Sequence, residues 1–324
     1  CVCANGAQYR KDIHGFLPEM MQTIYDERTI YKKKMLIAKQ DYEKKPSEKL
    51  KKDIAKFNNI QMARKIQLNS AYGAIGNQYF RYYNLANAEA ITLSGQVSIR
   101  WIEGKVNSYL NKLLKTEDHD YVIASDTDSI YICLDFLVRH VFDVQSVSAE
   151  RVVDFLDAAC KERIEPFIER SYQELADYVG AYEQKMFMKR ENIANKGIWT
   201  AKKRYILNVW DSEGVRYEKP KLKIMGLEAV KSSTPAACRT AIKECMKVIM
   251  NKDEEAAQQF IAKFKEEFSS LPIEDISFPR GCNGINKWSN PATIYSKGTP
   301  IHVRGALLYN FYNKKNKLTH KYPL

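Results

Sequence analysis

Two aspartates separated by one residue, Asp126 and Asp128, are the sharpest chemical feature of the sequence. They lie between two runs of β-branched and aromatic residues, 121–123 and 130–132, which predicts a β-hairpin with both carboxylates at its turn. Neighbouring carboxylates repel each other unless a cation neutralises them, and Mg²⁺ binds proteins through carboxylates, waters and substrate phosphates. The pair therefore predicts a divalent-metal site. The alternative is an ordinary turn, because Asp and Ser are common turn residues.

Three residues of different chemistry share one face of a predicted helix further upstream. Lys65, Asn69 and Tyr72 are spaced at i, i+4 and i+7, so their side chains project from the same side. A nucleotide needs these groups: a cation for its phosphates, and an aromatic ring and polar atoms for its sugar and base. The face therefore predicts a nucleotide-binding surface, and a capped helix with an ordinary surface lysine is the alternative.

Two further cations, Arg28 and Lys32, lie one turn apart on the preceding helical stretch. If the two helices pair antiparallel about Pro46, residues near 28 and near 65 come alongside each other. Cations from both helices then converge, as binding of a triphosphate requires. Residues 32–65 contain 12 Lys or Arg and 4 Asp or Glu, so a solvated charged face is the alternative.

A basic run, Lys202-Lys203-Arg204-Tyr205, opens a predicted strand. Side chains alternate along a strand, so the cations can face a nucleic-acid backbone while the tyrosine packs or stacks. A basic strand edge that protects against aggregation is the alternative.

Hydrophobic periodicity indicates the elements that position these residues. Apolar residues recur at helical spacing in the long helices predicted over 18–45, 47–68, 86–114 and 151–178. Runs of β-branched and aromatic residues predict short strands over 121–123, 130–132, 185–188, 205–210 and 215–217. The strands come as hairpins and helical spacing returns after residue 233, which predicts an α+β fold with an antiparallel sheet.

Composition limits the classes of function. Hydrophobic residues make up 45% and charged residues 28%, the balance of a globular protein, and the net charge of +12 favours a polyanionic partner. No apolar run reaches the roughly 18 residues that a membrane helix needs. The seven cysteines have no zinc-ligand spacing and fit a reducing, cytoplasmic compartment. The glycine motifs of phosphate-loop, dinucleotide-binding and α/β-hydrolase proteins do not occur.

Three motifs resemble, in order and spacing, those of family B DNA polymerases. They are Lys65–Gly73 (KIQLNSAYG), Ser125–Ser129 (SDTDS) and Lys202–Tyr205 (KKRY). Longer stretches resemble the replicative polymerases of large tailed phages, and these are Asn77–Asn87, Lys202–Asp211, Pro220–Pro235 and His302–Asn310. The resemblance spans nearly the whole chain.

The resemblance implies a right-hand polymerase fold with helical-hairpin fingers, an antiparallel-sheet palm and a mostly helical thumb. The implied segments are 1–17 (the end of an upstream palm segment), 18–75 (fingers), 76–230 (palm) and 231–324 (a thumb that is incomplete at its carboxyl end). The implied activity is DNA-directed DNA polymerisation in phage replication, in the cytoplasm of the host cell. dNTPs would be transferred onto a primer 3′ end with the help of two Mg²⁺ ions.

The resemblance also implies a role for each candidate residue. Asp128 matches the palm carboxylate that binds both metal ions, Asp126 lies beside it, and Glu191 matches a glutamate near the metals. The positions that meet the incoming dNTP are matched by Arg28, Lys32, Lys65, Asn69 and Tyr72. The segment that grips the primer–template minor groove is matched by Lys202, Lys203, Arg204 and Tyr205.

The sequence departs from the family pattern in two places. Ala124 and Ser125 stand where the family usually has Tyr-Gly. The Asp-x-x-Ser-Leu-Tyr-Pro-Ser motif upstream of the fingers, which carries another metal-binding aspartate, does not occur in the 324 residues. The isolated chain is therefore expected to be inactive and to need a second polypeptide or an amino-terminal region with the exonuclease and upstream palm. A sliding clamp is a further expected partner, through a tail beyond this sequence. The alternative is a non-catalytic half of a split polymerase that binds DNA and nucleotide.

Overall fold

The computed structural model describes residues 1–288 and 296–317. Its helices are α1 (Phe16–Lys44), α2 (Glu48–Ile75), α3 (Leu85–Leu114), α4 (Asp135–Val141), α5 (Ala149–Ala159), α6 (Glu165–Tyr178), α7 (Ala236–Asn251), α8 (Glu254–Phe268), α9 (Ile273–Ile276) and α10 (Ile301–Lys315). Its strands are β1 (Val122–Asp126), β2 (Ser129–Ile132), β3 (Asn192–Ala201), β4 (Arg204–Ser212) and β5 (Val215–Met225). This mixture of helices with small sheets agrees with the predicted α+β class.

The chain divides into two compact units. The first unit comprises residues 1–197 and 207–223, and the second comprises residues 198–206 with those from 224 onward. Among the described residues, no helix is both long and apolar enough to span a membrane.

In the first unit, α1 and α2 form the predicted helical hairpin. Ser47 caps α2 because its hydroxyl accepts the Leu50 N–H at 3.2 Å. The rings of Tyr31 and Phe57 lie 6.4 Å apart across the pair. Helix α2 extends beyond the predicted end at residue 68 as far as Ile75, because Gly73 is accommodated inside the helix.

The core of the first unit is built on α3. Ile102, Val106 and Leu110 lie at i, i+4 and i+8 and are at most 1% exposed. They pack against Tyr121 and Val122 at the start of β1 and against buried residues of α6. This core anchors the foot of the β1–β2 hairpin, so its turn is held by a rigid base.

The predicted β1–β2 hairpin is antiparallel, with Asp126 opposite Ser129 and Val122 opposite Ile132. Strands β3, β4 and β5 form a second sheet in that order. Only two residues separate consecutive strands in this sheet, so the strands must be antiparallel, since a parallel crossover needs a dozen or more.

The predicted strand over 185–188 is wrong, because these residues form irregular backbone. Side chains satisfy polar groups here that a sheet would otherwise pair. The Gln184 amide donates to the Met186 carbonyl at 2.7 Å, and Lys185 donates to Gln22 at 2.9 Å.

The second unit contains helices α7 to α10. Val303 and Leu307 of α10 are buried and pack with Cys282, Trp288 and Leu308. A 3₁₀ turn, Glu228–Val230, precedes α7. The helical spacing after residue 233 predicted this helical content.

Candidate active site

The turn between β1 and β2 holds both predicted metal ligands. The Asp128 N–H donates to the Asp126 carbonyl at 2.5 Å, and Thr127 between them has a φ of 47°. A turn closed across two residues with positive φ at its centre is rare and strained, more so for a β-branched residue. Such strain persists only where the surrounding structure holds it, and it clusters at functional sites.

The two carboxylates have different surroundings. Asp126 is half-buried and accepts the Thr127 hydroxyl at 3.0 Å, whereas Asp128 is exposed at the tip. Within the described residues, the Asp128 carboxylate makes no hydrogen bond or ion pair. Burial raises the pKa of Tyr172 on α6 to about 12, and the negative charge of Asp128 adds to that shift. The Asp128 carboxylate is therefore accessible to a ligand, and its charge influences the buried Tyr172 on α6.

The donor set of this turn fits Mg²⁺, which binds through one or two carboxylates and keeps waters or substrate phosphates as its other ligands. Across residues 1–288 and 296–317, no three His, Cys, Asp or Glu side chains are grouped so that they could hold a metal. Glu191 therefore does not join Asp126 and Asp128 in a single three-ligand cluster.

The helical hairpin brings together the two helix segments that carry Arg28 and Lys65. Glu27 and Arg64, the residues that precede Arg28 and Lys65, form an ion pair of 2.6 Å across the two helices. The Nε atom of Arg28 is buried and has no hydrogen-bond partner among the described residues, whereas Lys65 is exposed. This geometry agrees with the prediction that residues near 28 and near 65 meet.

Lys32, the third predicted cation, is engaged by a residue that sequence reasoning missed. Its ammonium pairs with Glu213, which lies in the two-residue turn between β4 and β5. The side chains of Lys32 and Glu213 are 32% and 25% exposed. Residues 211–214 lie between the strands predicted over 205–210 and 215–217, but no local signal could show a partner 181 positions away.

Asn69 and Tyr72 lie on the exposed face of α2 with Lys65, as their spacing predicts. The Tyr72 side chain is 42% exposed, which leaves a ring surface accessible to a ligand. Gly73 lies next to this face inside the helix, and a Cβ built there meets no atom within 4 Å.

A buried ionic network lies directly before Glu191 in the chain. Arg190 pairs with Asp157 of α5 and Asp211 of β4, and Asp211 also binds Arg216 at 2.7 Å. Burial alone would lower the pKa of Arg190, but the two carboxylates reverse this effect and raise it. The network holds Arg190, the residue directly before Glu191, and sequence reasoning did not foresee it.

Glu191 itself is exposed, and its carbonyl accepts the Glu213 N–H at 2.5 Å. Its carboxylate lies 4.0 Å from the Lys223 ammonium. The turn that carries Glu213 is therefore attached both to Lys32 and to the backbone of Glu191.

The predicted basic strand is in part a turn. Lys202 and Lys203 form the two-residue connection between β3 and β4, and β4 begins only at Arg204. Lys203 has a φ of 62°. Tyr205 is 8% exposed and its ring lies 6.1 Å from that of Trp199. Of the two roles left open for this tyrosine, the structure favours packing.

Comparison with known proteins adds to this geometry. Residues 3–157 match the family model of DNA polymerase family B. The chain is 39% identical to the DNA-directed DNA polymerase of Escherichia phage RB69 over 94% of its own length and 39% of that protein. It is 41% identical to the corresponding enzyme of Enterobacteria phage T4 over 81% of its own length and 30% of that protein.

A eukaryotic relative is similar over a shorter region. The DNA polymerase delta catalytic subunit of Candida albicans is 36% identical over 36% of this chain. The chain thus spans well under half the length of the phage relatives that it matches. The profile match and the identity to the phage enzymes support a family B DNA polymerase of the phage type.

Proposed function

We propose that this chain carries the polymerase centre of a DNA-directed DNA polymerase that replicates phage DNA. The observation that carries the proposal is the strained turn with Asp126 and Asp128, in a chain about 40% identical to two phage DNA-directed DNA polymerases. The reaction is template-directed transfer of a dNTP onto a primer 3′ end. The activity is proposed for the enzyme that contains this chain, because the matched relatives are much longer.

Asp126 and Asp128 would hold two Mg²⁺ ions, and Glu191 would lie near the metals without forming one three-carboxylate cluster with the two aspartates. Bound divalent ions lower the pKa of an attacking hydroxyl and stabilise the charge on the leaving oxygen. The half-buried Asp126 would fix the turn, and the exposed Asp128 would present its carboxylate to the reacting groups.

The helical hairpin would bind the incoming nucleotide. Its cations would offset the charge that develops on the β- and γ-phosphates, while the polar and aromatic face of α2 would meet the sugar and base. The residues proposed for this role are Arg28, Lys32, Lys65, Asn69 and Tyr72.

The larger architecture would be a right hand. Residues 1–17 would end an upstream palm segment, 18–75 would be the fingers, 76–230 the palm and 231–324 part of the thumb. The sheet order and the α1–α2 hairpin are compatible with this assignment.

The turn at Lys202 and Lys203, with Arg204, would bind the primer–template backbone, and the buried Tyr205 would anchor the turn from within. The expected partners are primer–template DNA, dNTPs, a polypeptide or region with the exonuclease and upstream palm, and a sliding clamp. The site of action would be the cytoplasm of the host cell.

A second candidate function is a non-catalytic half that binds DNA and nucleotide. It is favoured by one observation, namely that no third carboxylate completes a metal cluster among the described residues. The two candidates differ in whether Asp126 and Asp128 contribute to chemistry.

Primer extension distinguishes the candidates. We would assay the 324-residue chain alone and together with a polypeptide that carries the upstream aspartate motif. The proposal predicts no extension by the chain alone and restored extension by the mixture, lost again when Asp128 is replaced by Ala. Extension that survives this replacement would support the non-catalytic reading. Robust extension by the chain alone would mean that another carboxylate, such as Glu191, completes the centre.

A further inference from the structure

The turn at Lys202 and Lys203 packs against residues 226–228 of the same compact unit, a segment with no role assigned so far. We infer that Glu228 is a positioning residue that orients Arg204 for DNA phosphate, and that Gly226 shapes the backbone beneath the turn. The inference rests on the proposed function, because it concerns the DNA grip of the polymerase.

The backbone of the turn has a conformation that its neighbour Gly226 makes possible. Lys203 has a φ of 62°, which is uncommon for a residue other than glycine. Gly226, at the end of β5, has a φ of 69°, and a Cβ built on it would lie 2.2 Å from the Lys203 carbonyl oxygen. Only glycine allows the two backbones to approach this closely. The conformation that presents the lysines is therefore held by direct backbone packing.

The side chain of Arg204 is held by a carboxylate of the following segment. Its Nη2 atom donates to the Glu228 carboxylate at 2.6 Å, and the other oxygen of that carboxylate accepts the Lys231 ammonium at 3.0 Å. One carboxylate thus links a cation of β4 to a cation that follows the 3₁₀ turn. The guanidinium has five donors in a rigid fork, so its pairing with Glu228 leaves other donors free for a phosphate.

Charge repulsion and positioning by Glu228 would change DNA affinity in opposite directions. A carboxylate within a basic surface repels DNA, so electrostatics alone predicts tighter binding when Glu228 is neutralised. If Glu228 orients Arg204, removal of the Glu228 charge instead leaves the Arg204 guanidinium less ordered and weakens DNA binding. The two accounts therefore predict opposite changes in affinity for the same substitution.

The chain offers a matched control on α7 of the same unit. Glu244 pairs with Lys247 at 2.8 Å with i,i+3 spacing, as Glu228 pairs with Lys231 at 3.0 Å. Glu244→Gln removes the same charge and the same kind of lysine pair but no contact to Arg204. Both variants are at exposed positions, so neither is expected to unfold the protein.

The experiment is a fluorescence-anisotropy titration of primer–template DNA at four salt concentrations, using the 324-residue chain and its variants. Glu228→Gln should weaken binding about three- to tenfold, the lower range expected when one charge-assisted contact is lost at an exposed site. It should also reduce the slope of log K against log salt by about one. Adding Glu228→Gln to Arg204→Gln should cause no further loss, because the carboxylate acts through the guanidinium.

Each outcome decides a different point. Unchanged or tighter binding by Glu228→Gln, or an equal loss in Glu244→Gln, would overturn the positioning role while leaving the proposed function intact. Additive losses in the double variant would overturn it too. If Lys202→Ala/Lys203→Ala also left affinity and salt slope unchanged, the DNA grip itself would be refuted, and with it this part of the proposed function.

Discussion

Replacing Glu213 by Gln should strengthen the binding of dNTPs by the polymerase. Lys32, a proposed triphosphate ligand, is paired with the Glu213 carboxylate in this structure. A nucleotide that recruits Lys32 must therefore compete with that carboxylate. Glutamine has nearly the same shape but no charge, so the substitution removes the competitor while preserving the turn between β4 and β5.

The size of the effect follows from burial of the pair. The two side chains are 32% and 25% exposed, so the pair is partly screened by solvent and contributes at most about 1 kcal/mol. Removing it should lower the Kd for dNTP by about two- to fivefold, since 1.4 kcal/mol corresponds to a factor of ten. Replacing Lys32 by Ala should have the opposite and larger effect, because a charge-assisted phosphate contact contributes about 1.5–3 kcal/mol.

The assay is single-turnover incorporation against dNTP concentration in the complete or reconstituted enzyme. The double variant Glu213→Gln/Lys32→Ala should behave like Lys32→Ala alone, since the carboxylate acts only through the lysine. Glu43→Gln is the matched control, because Glu43 lies on the same helix as Lys32 and its carboxylate forms a 2.6 Å pair with Lys221 of β5. An unchanged or raised Kd in Glu213→Gln, or an equal gain in Glu43→Gln, would refute the reasoning.

Three further predictions follow from the described geometry. Arg28→Ala and Lys65→Ala should each weaken dNTP binding about ten- to hundredfold while leaving primer–template affinity almost unchanged. Variants that lose DNA binding but keep normal dNTP affinity would contradict the assignment of residues 18–75 as fingers. Asp211→Ala should lower the free energy of unfolding by about 3–5 kcal/mol in chemical denaturation, because it removes one of the two carboxylates that neutralise the buried Arg190 guanidinium and leaves only Asp157. Burial raises the pKa of Tyr172, so the contribution of this tyrosine to the free energy of unfolding should be complete below pH 10 and decline towards pH 12. Ultraviolet titration of Asp128→Asn should give a lower tyrosine pKa than the wild type. An unchanged titration would argue against an interaction between Asp128 and Tyr172.

Local signals were sufficient to predict the elements that carry the site. The β1–β2 hairpin follows from two short apolar runs around Asp126 and Asp128, and its turn lies where the sequence places it. The α1–α2 hairpin follows from helical periodicity interrupted at Pro46. These features depend on residues close in sequence, for which periodicity and turn chemistry are informative.

Contacts between distant segments were not predictable in the same way. The partners of Lys32 and Arg204 depend on which turns the fold brings next to these cations. The local sequence of a turn is the same whether its carboxylate pairs with a distant cation or stays unpaired. Tyr205 had the right spacing to stack on DNA, but its position in β4 buries it against Trp199. Helix α2 continues through Gly73 to Ile75, because a single glycine costs a helix only about 1 kcal/mol relative to alanine.

The turn of Asp126 and Asp128 is the centre of the account, and Asp128→Ala tests it most directly. In single-turnover incorporation at saturating Mg²⁺, the complete or reconstituted enzyme should lose incorporation with this substitution, because loss of a metal ligand removes several kcal/mol of transition-state stabilisation. Asp126→Ala should be damaging to a smaller extent. Asp135→Ala, at an exposed aspartate just after β2, should leave the rate unchanged, and primer–template affinity should be preserved in all three variants. A near-normal rate for Asp128→Ala would contradict the assignment of this turn as the catalytic centre.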